Sequence, residues 1–284
     1  MYEPELIRCL TRLKDVGCHE LVLLHLPKTE EVLLHIPSLL KDDLRQCLAE
    51  VTQKRLDALI QLCQECGMTA RPLLKTGELA WLEVHQLVQH EAFALVVVGP
   101  FIGPHLGTAV SFLVPRTRVP LLIVKVSARV AQAPYDTICQ SLFGRVLYPT
   151  DWSPCASKAL DALISLKPLG LSEVIVTHVV APQEIAHLTS SQRVAHRAQV
   201  QQQLAQTQRR LEEADLDVRP VLLEGDPARE LVHLSAREDV ALIVMGTTGK
   251  GMTAEMTLGS VSGAVARTTD RSVLLVCHTA PQPT

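Results

Sequence analysis

No apolar run in this 284-residue chain approaches the roughly 18 residues that a membrane span needs. The opening stretch, MYEPELIRCL, has the make-up of neither a signal peptide nor a transit peptide. The cytoplasm is therefore the expected compartment. An excess of one charge is also missing. The net charge is −3, from 27 basic and 30 acidic side chains, so nothing draws the chain generally to nucleic acid or to anionic membranes. Eight cysteines in a chain this long do not form a disulfide framework. Cys63 and Cys66 are the only close pair; they close a helix-like segment, LDALIQLCQECG, and no second pair exists to complete a zinc site. The eleven histidines are scattered and fall at no metal-ligand spacing.

What is present is ample material for packed cores, with 47% hydrophobic and 20% charged residues. The length points to two domains, and the text repeats itself. ARPLLKTGE from Ala70 lies on VRPVLLEGD from Val218, matching Arg71, Pro72 and Gly77 to Arg219, Pro220 and Gly225. ALVVVG ending at Gly99 lies on ALIVMG ending at Gly246, and LGTAV from Leu106 on LGSVS from Leu258. ELVLLHL from Glu20 lies on EVIVTHV from Glu173. Ordered matches of this kind indicate two copies of one domain, predicted at residues 1–127 and 144–280, with a linker at 128–143.

The second copy parses cleanly. VLYPT from Val146 is a short buried strand, and Ser153 with Pro154 behind it caps the helix PCASKALDALISL. EVIVTHVV is a second strand, residues 183–214 an amphipathic helix, and VRPVLLE a third strand. Asp226 caps a helix starting at Pro227; ALIVMG, GSVSGAVART and SVLLVCH then read as strand, helix and strand. Strands that are apolar throughout and alternate with helices predict an α/β fold, a doubly wound parallel sheet covered on both faces. Ligands of such sheets sit beyond the strand C-termini where the winding reverses, which selects the ends of the first and fourth strands, Asp151 and Gly246.

The segment after the fourth strand, GTTGKGMTAEMTLGS, runs from Gly246 to Ser260. Glycines 246 and 249 let a ligand approach the backbone without a Cβ in the way. At the helix start, the N–H groups of Ser260, Val261 and Ser262 lack helical partners and carry the positive end of the dipole, with the Ser260 hydroxyl as a further donor. This is phosphate-binding chemistry; the same residues also describe a plain strand end followed by a helix cap. A Walker loop is excluded for want of a glycine-lysine-serine/threonine unit. A dinucleotide fingerprint is excluded by its place after the fourth strand and by its spacing. Asp151 repels phosphate and suits ribose hydroxyls or a divalent cation.

The pattern Gly246-x2-Gly249-x9-Gly259-Ser260 resembles the ATP-binding signature of the universal stress protein family. VLYPTD, His178-Val179 and Gly225-Asp226-Pro227 fall where that family has matching residues. The resemblance covers residues 144 to 278 and, more loosely, the first half. It implies two tandem Rossmann-like domains of the adenine nucleotide alpha hydrolase-like kind. It further implies ATP as ligand, with Mg or Mn as accompanying cation. Adenine would meet the backbone at Pro149, Asp151 and Val179, with Asp151 also near the ribose. Met245, Gly246, Thr248 and Gly249 would follow ribose and phosphates, and Gly259, Ser260 and Val261 would hold the phosphate tail. Thr248 stands where many members carry histidine or arginine, and Lys250 is a candidate compensating charge.

The first copy departs from the pattern twice. Its loop spans eight positions from Gly99 to Gly107 against thirteen in the second copy, and Pro100 and Pro104 remove two donors. Aligning ELVLLHL with EVIVTHV sets Met1 opposite Pro154, so the first strand and its aspartate are absent from this text; either the true start lies upstream, or this half has decayed into a pairing partner. One live nucleotide site, in the second domain, is expected. Members of the family commonly pair through the fifth strand, here SVLLVCH and its counterpart PLLIVKV, which implies an internal pseudo-dimer and leaves a further homodimer open. The expected role is an ATP-binding regulatory or stress-response protein. A slow ATPase is the alternative, disfavoured because Asp151 stands without a second carboxylate. An interaction module without nucleotide is the third reading.

Overall fold

The computed structural model describes residues 3–25, 38–74, 80–102, 119–126, 139, 142–249 and 258–276. The chain divides into two compact units, 1–91 and 92–284. The first contains helix α1 (Glu3–Thr11), strand β1 (Glu20–His25), helix α2 (Ser38–Glu65), strand β2 (Thr69–Leu74) and helix α3 (Ala80–His90). Its sheet is the parallel pair β1–β2.

The second unit opens with β3 (Val96–Ile102) and β4 (Leu121–Val126). It continues through β5 (Arg145–Pro149), α4 (Pro154–Ser165), β6 (Glu173–Val180), α5 (Pro182–Ile185), α6 (Ser190–Glu213) and β7 (Val218–Glu224). The last elements are α7 (Pro227–Arg237), β8 (Leu242–Gly246), α8 (Ser260–Thr268) and β9 (Ser272–Val276). These strands form one seven-stranded sheet in the order β3-β4-β9-β8-β5-β6-β7. All neighbours are parallel except β4 and β9, which run antiparallel. From β9 to β7 the order is that of a doubly wound α/β sheet, whose winding reverses between β5 and β8.

Local chemistry accounts for these elements. Ser153 accepts the Ala156 N–H at 3.2 Å and Pro154 fills the first helical turn of α4. Thr189 and Gln192 form a reciprocal capping box at the start of α6. Asp226 Oδ1 accepts the Arg229 N–H at 2.9 Å and starts α7. The predicted helix at 183–214 is thus two helices, because the capping box at Thr189 begins a new one. Successive residues of β5 serve opposite faces of the sheet. Leu147 joins the core made with Leu231 and Leu234 of α7 and Val265 and Ala266 of α8, while the Tyr148 hydroxyl donates to the Ala156 carbonyl of α4 at 2.8 Å. The strands β5, β6, β8 and β9 are buried almost along their whole length, as a doubly covered parallel sheet requires.

The repeat survives as geometry. In the second half Arg219 reaches Glu173 (3.1 Å) through Nε and Glu238 (2.5 Å) through Nη2. In the first half Arg71 reaches Glu20 (3.3 Å) and Glu91 (2.7 Å) through the same two nitrogens. Each of these residues is the sequence counterpart of the other set. Arg145, on β5, adds a further bond to Glu173 at 2.6 Å. Among the described residues the first strand of the chain is Glu20–His25, preceded by α1 rather than by a strand.

The division into compact units falls between Glu91 and Ala92, whereas the linker expected from the sequence repeat is 128–143, most of which lies outside the described residues. The difference has a cause. β3 and β4 belong by sequence to the first copy, yet they extend the sheet of the second through the β4–β9 ladder.

Of the eight cysteines, Cys9 and Cys139 each take part in a disulfide, short of the framework that the cysteine count excludes. Cys18, Cys47, Cys63, Cys66 and Cys155 are free. Burial, with Cys66 beside it, pushes the Cys63 thiol up, which disfavours the thiolate that redox or metal chemistry needs. Among the described residues no helix is long and apolar enough to cross a membrane.

Candidate nucleotide-binding site

The C-terminal ends of β5 and β8 meet beside the first turn of α4. Thr150, after β5, is tied to β6 by its N–H on the Thr177 carbonyl at 2.8 Å. Asp151 follows, half-buried, and its Oδ1 accepts the Ser153 N–H at 3.0 Å. Its other oxygen lies against Gly249: a Cβ on that glycine would sit 2.7 Å from Asp151 Oδ2. Gly246, the last residue of β8, abuts α4 so closely that a Cβ would lie 2.8 Å from the Cys155 carbonyl carbon and 2.9 Å from the Ala156 nitrogen. Both glycines are therefore required for close approach, one to a helix backbone and one to the aspartate.

Thr248 is held from two directions. Its carbonyl accepts the Ser153 hydroxyl at 3.3 Å, and its Oγ1 lies 2.8 Å from the Cys155 sulfur. Burial pushes the Tyr148 phenol up to about 12, so it stays protonated and keeps the first turn of α4 in place.

The start of α8 is anchored by one atom. The Thr247 carbonyl accepts the Gly259 N–H at 2.6 Å and the Ser262 hydroxyl at 2.6 Å. Thr247 is in turn fixed to β9 by its N–H on the Val276 carbonyl at 2.9 Å. Gly259 is the cap residue of α8 and has no side chain to fill that role. The N–H groups of Ser260, Val261 and Ser262 consequently start the helix without helical acceptors, beside the positive end of its dipole.

The predicted residues separate into two groups. Asp151, Gly246, Thr248 and Gly249 converge, and Gly259 is joined to them through Thr247. Ser260 is exposed and Val261 half-buried at the first turn of α8. Pro149 ends β5 opposite Thr177. Val179 and Met245 contribute their side chains to the core and pair in the sheet with Leu223 and Leu275. Lys250 lies outside the described residues. Among the described residues no three metal-ligating side chains cluster.

Trp152, Thr247 and the Ser262 hydroxyl escaped sequence reasoning. Trp152 follows Asp151 with φ 59, in the left-handed region. Its ring lies 4.5 Å from that of His178, and its Nε1 donates to Thr207 at 3.2 Å. His178 Nδ1 is 2.8 Å from the Thr150 carbonyl. Thr247 and Ser262 form the strut under the glycine loop; a small hydroxyl in the first turn after Gly259 was the available signal for Ser262. Nothing in the sequence marks Trp152 as left-handed, because the strain of that conformation is outweighed by tertiary contacts.

Residues 142–276 match the universal stress protein family. A universal stress protein of Methanocaldococcus jannaschii is 29% identical over 154 residues, covering 48% of this chain and 95% of its own length. The universal stress protein YxiE of Bacillus subtilis is 29% identical over 148 residues, covering 48% of this chain and 99% of its own. The crystal structure of a universal stress protein from Archaeoglobus fulgidus matches with a TM-score of 0.63 at 20% identity, covering 96% of this chain and 93% of that one. At that identity the likeness is one of fold, and it extends over both halves.

Proposed function

Because residues 142–276 form a universal stress protein domain, we infer that this chain binds ATP at the C-terminal ends of β5 and β8 and acts as a nucleotide-responsive regulatory protein. One observation carries the reading: the bare N-terminus of α8 is anchored through Thr247 next to the loop where Asp151 meets Gly249. That arrangement supplies backbone donors for phosphate oxygens and a carboxylate for ribose hydroxyls, in the order an adenosine phosphate presents them. The adenine then lies along the backbone of Pro149, Asp151 and Val179. Met245, Gly246, Thr248 and Gly249 line the ribose and phosphates, while Gly259, Ser260 and Val261 hold the phosphate tail. Mg or Mn accompanies the phosphates as counter-ion.

The first repeat contributes a pairing surface in place of a second such site. After Gly99 the chain continues as strand, Phe101 and Ile102 pairing with Lys125 and Val126, where the second repeat leaves the sheet to form its loop. Gly99 has φ +130, and a Cβ there would lie 2.5 Å from the Val124 carbonyl oxygen. An internal pseudo-dimer with one nucleotide site follows from this reading.

The test is a thermal melt with Mg-ATP. Ligand at about 100 times its Kd should stabilise the protein by about 2.7 kcal/mol. The shift should vanish in Gly259→Asp/Ser260→Ala, and ATP should be identified by mass spectrometry in the purified protein. No shift at millimolar ATP would sink the reading in favour of an interaction module. Phosphate release above background, lost in Asp151→Ala, would make the protein a slow ATPase instead.

A further inference from the structure

Lys125 is a lysine in the wrong place for a lysine. It lies near the end of β4, in the first repeat, and is 5% exposed. Its ammonium donates to the Ala266 carbonyl at 2.8 Å and to the Thr269 carbonyl at 2.5 Å. Ala266 belongs to the last turn of α8 and Thr269 is its C-terminal cap, so these carbonyls are ones the helix itself leaves without donors. A cation there also meets the negative end of the helix dipole. Burial draws the Lys125 ammonium down to about 8, with nearby Asp270 pulling it the other way. A buried charge persists only where it is hydrogen-bonded, and α8 supplies the bonds.

The backbone of Lys125 is equally committed. Its N–H donates to Ser272 Oγ at 3.0 Å, and that hydroxyl donates to the Lys125 carbonyl at 3.2 Å. On its other side Lys125 pairs with Phe101, in the stretch that replaces the glycine loop of the second repeat. The helix it grips is the one whose opposite end is fixed by Thr247. Thus α8 is held at its N-terminus by its own repeat and at its C-terminus by the other one. The second-repeat counterpart of Lys125 is Cys277, which carries no cation.

From this geometry we propose that Lys125 is a positioning residue for the phosphate site: by clamping the C-terminal end of α8 it sets the orientation of the bare N–H groups at the other end, so that the first repeat acts on nucleotide binding in the second. The proposal rests on the nucleotide reading of the α8 N-terminus. Its prediction is selective, because the adenosine moiety lies on β5 and β6 and the phosphates on α8.

The full chain and its Lys125→Met and Lys125→Arg variants are titrated with Mg-ATP and with adenosine by calorimetry. Hydrogen exchange is followed at residues 260–268 without ligand. Lys125→Met should lose about fivefold to tenfold in ATP affinity with adenosine affinity unchanged, and should exchange faster in α8 than wild type while β5 and β6 stay protected. Lys125→Arg, which keeps the cation, should recover most of the ATP affinity. A Lys125→Met protein that binds ATP like wild type, or loses ATP and adenosine equally, overturns the assignment. Should Lys125→Met fail to fold, the Lys125→Arg protein carries the test: faster exchange in α8 with ATP affinity unchanged, or a measurable loss of ATP affinity matched by an equal loss for adenosine, overturns it. Wild type that binds adenosine but gains nothing from the phosphates overturns the nucleotide reading of α8 itself, and the two failures are told apart by which protein shows them.

Discussion

Leu122 of β4 pairs with Leu274 of β9, and each is the other's counterpart in the sequence repeat. The pairs on either side, Leu121 with Leu275 and Ile123 with Val273, exchange when the two copies are exchanged. The ladder therefore has the self-complementary register of a two-fold interface, written within one chain. It also joins two apolar strands that would otherwise present open edges.

This ladder should be energetically coupled at its centre. Leu122 and Leu274 are 2% and 5% exposed, so Leu122→Ala and Leu274→Ala should each cost about 2–4 kcal/mol. Urea unfolding of the two single variants and the double variant should give a coupling of about 0.5 kcal/mol or more. Strict additivity would show that the two side chains do not support one another.

The two glycines at the site should fail differently. In Gly246→Ala the new methyl meets the backbone of α4, which has no slack, and a stability loss of about 1–3 kcal/mol is expected in a melt. In Gly249→Ala it meets the carboxylate of Asp151, a side chain that can move. The fold should hold, and ATP affinity should fall about tenfold, equivalent to about 1.4 kcal/mol, by calorimetry. The reverse ranking would mean that Asp151 and Gly249 are not where the ribose binds.

The charged clamp at the other end of the sheet should make stability depend on acidity. Burial alone would raise the Glu173 carboxyl, but hydrogen bonds from Arg219 and Arg145, with their charges, hold it below its ordinary value. The unfolded chain then takes up the proton first, so this stabilisation is whole above about pH 4.3 and is lost as pH falls through the folded value. The stability gap between wild type and Glu173→Gln, read from urea unfolding, should close on acidification through that range. The two copies of the clamp should also differ. Glu173 and Glu238 are 19% and 20% exposed, against 54% and 41% for Glu20 and Glu91. Arg219→Ala should cost about 1–3 kcal/mol and Arg71→Ala less than about 1 kcal/mol.

Much of the second repeat is legible in its residues alone. Its buried strands are uniformly apolar, its helices start at Ser153 and Asp226, and both signals are local. That the ends of β5 and β8, at Asp151 and Gly246, lie side by side is legible too, because these strands flank the reversal of winding. Three features are not. The stretch from Gly99 reads as a loop from its proline and glycines, yet Phe101 and Ile102 pair with β4 and stay on the sheet. Trp152 carries no mark of its left-handed backbone. Nothing in the apolar stretch PLLIVKV marks Lys125 as the donor to two carbonyls at the end of α8.

By itself the sequence determined the repeat, the succession of strands and helices and the places where bare glycine backbone follows a strand or starts a helix, since these depend on local periodicity, capping and the missing Cβ of glycine. Only the tertiary structure decided which strands share a sheet and which carbonyls receive Lys125. Those choices depend on residues about 150 apart, such as Leu122 and Leu274, whose contact no local pattern encodes.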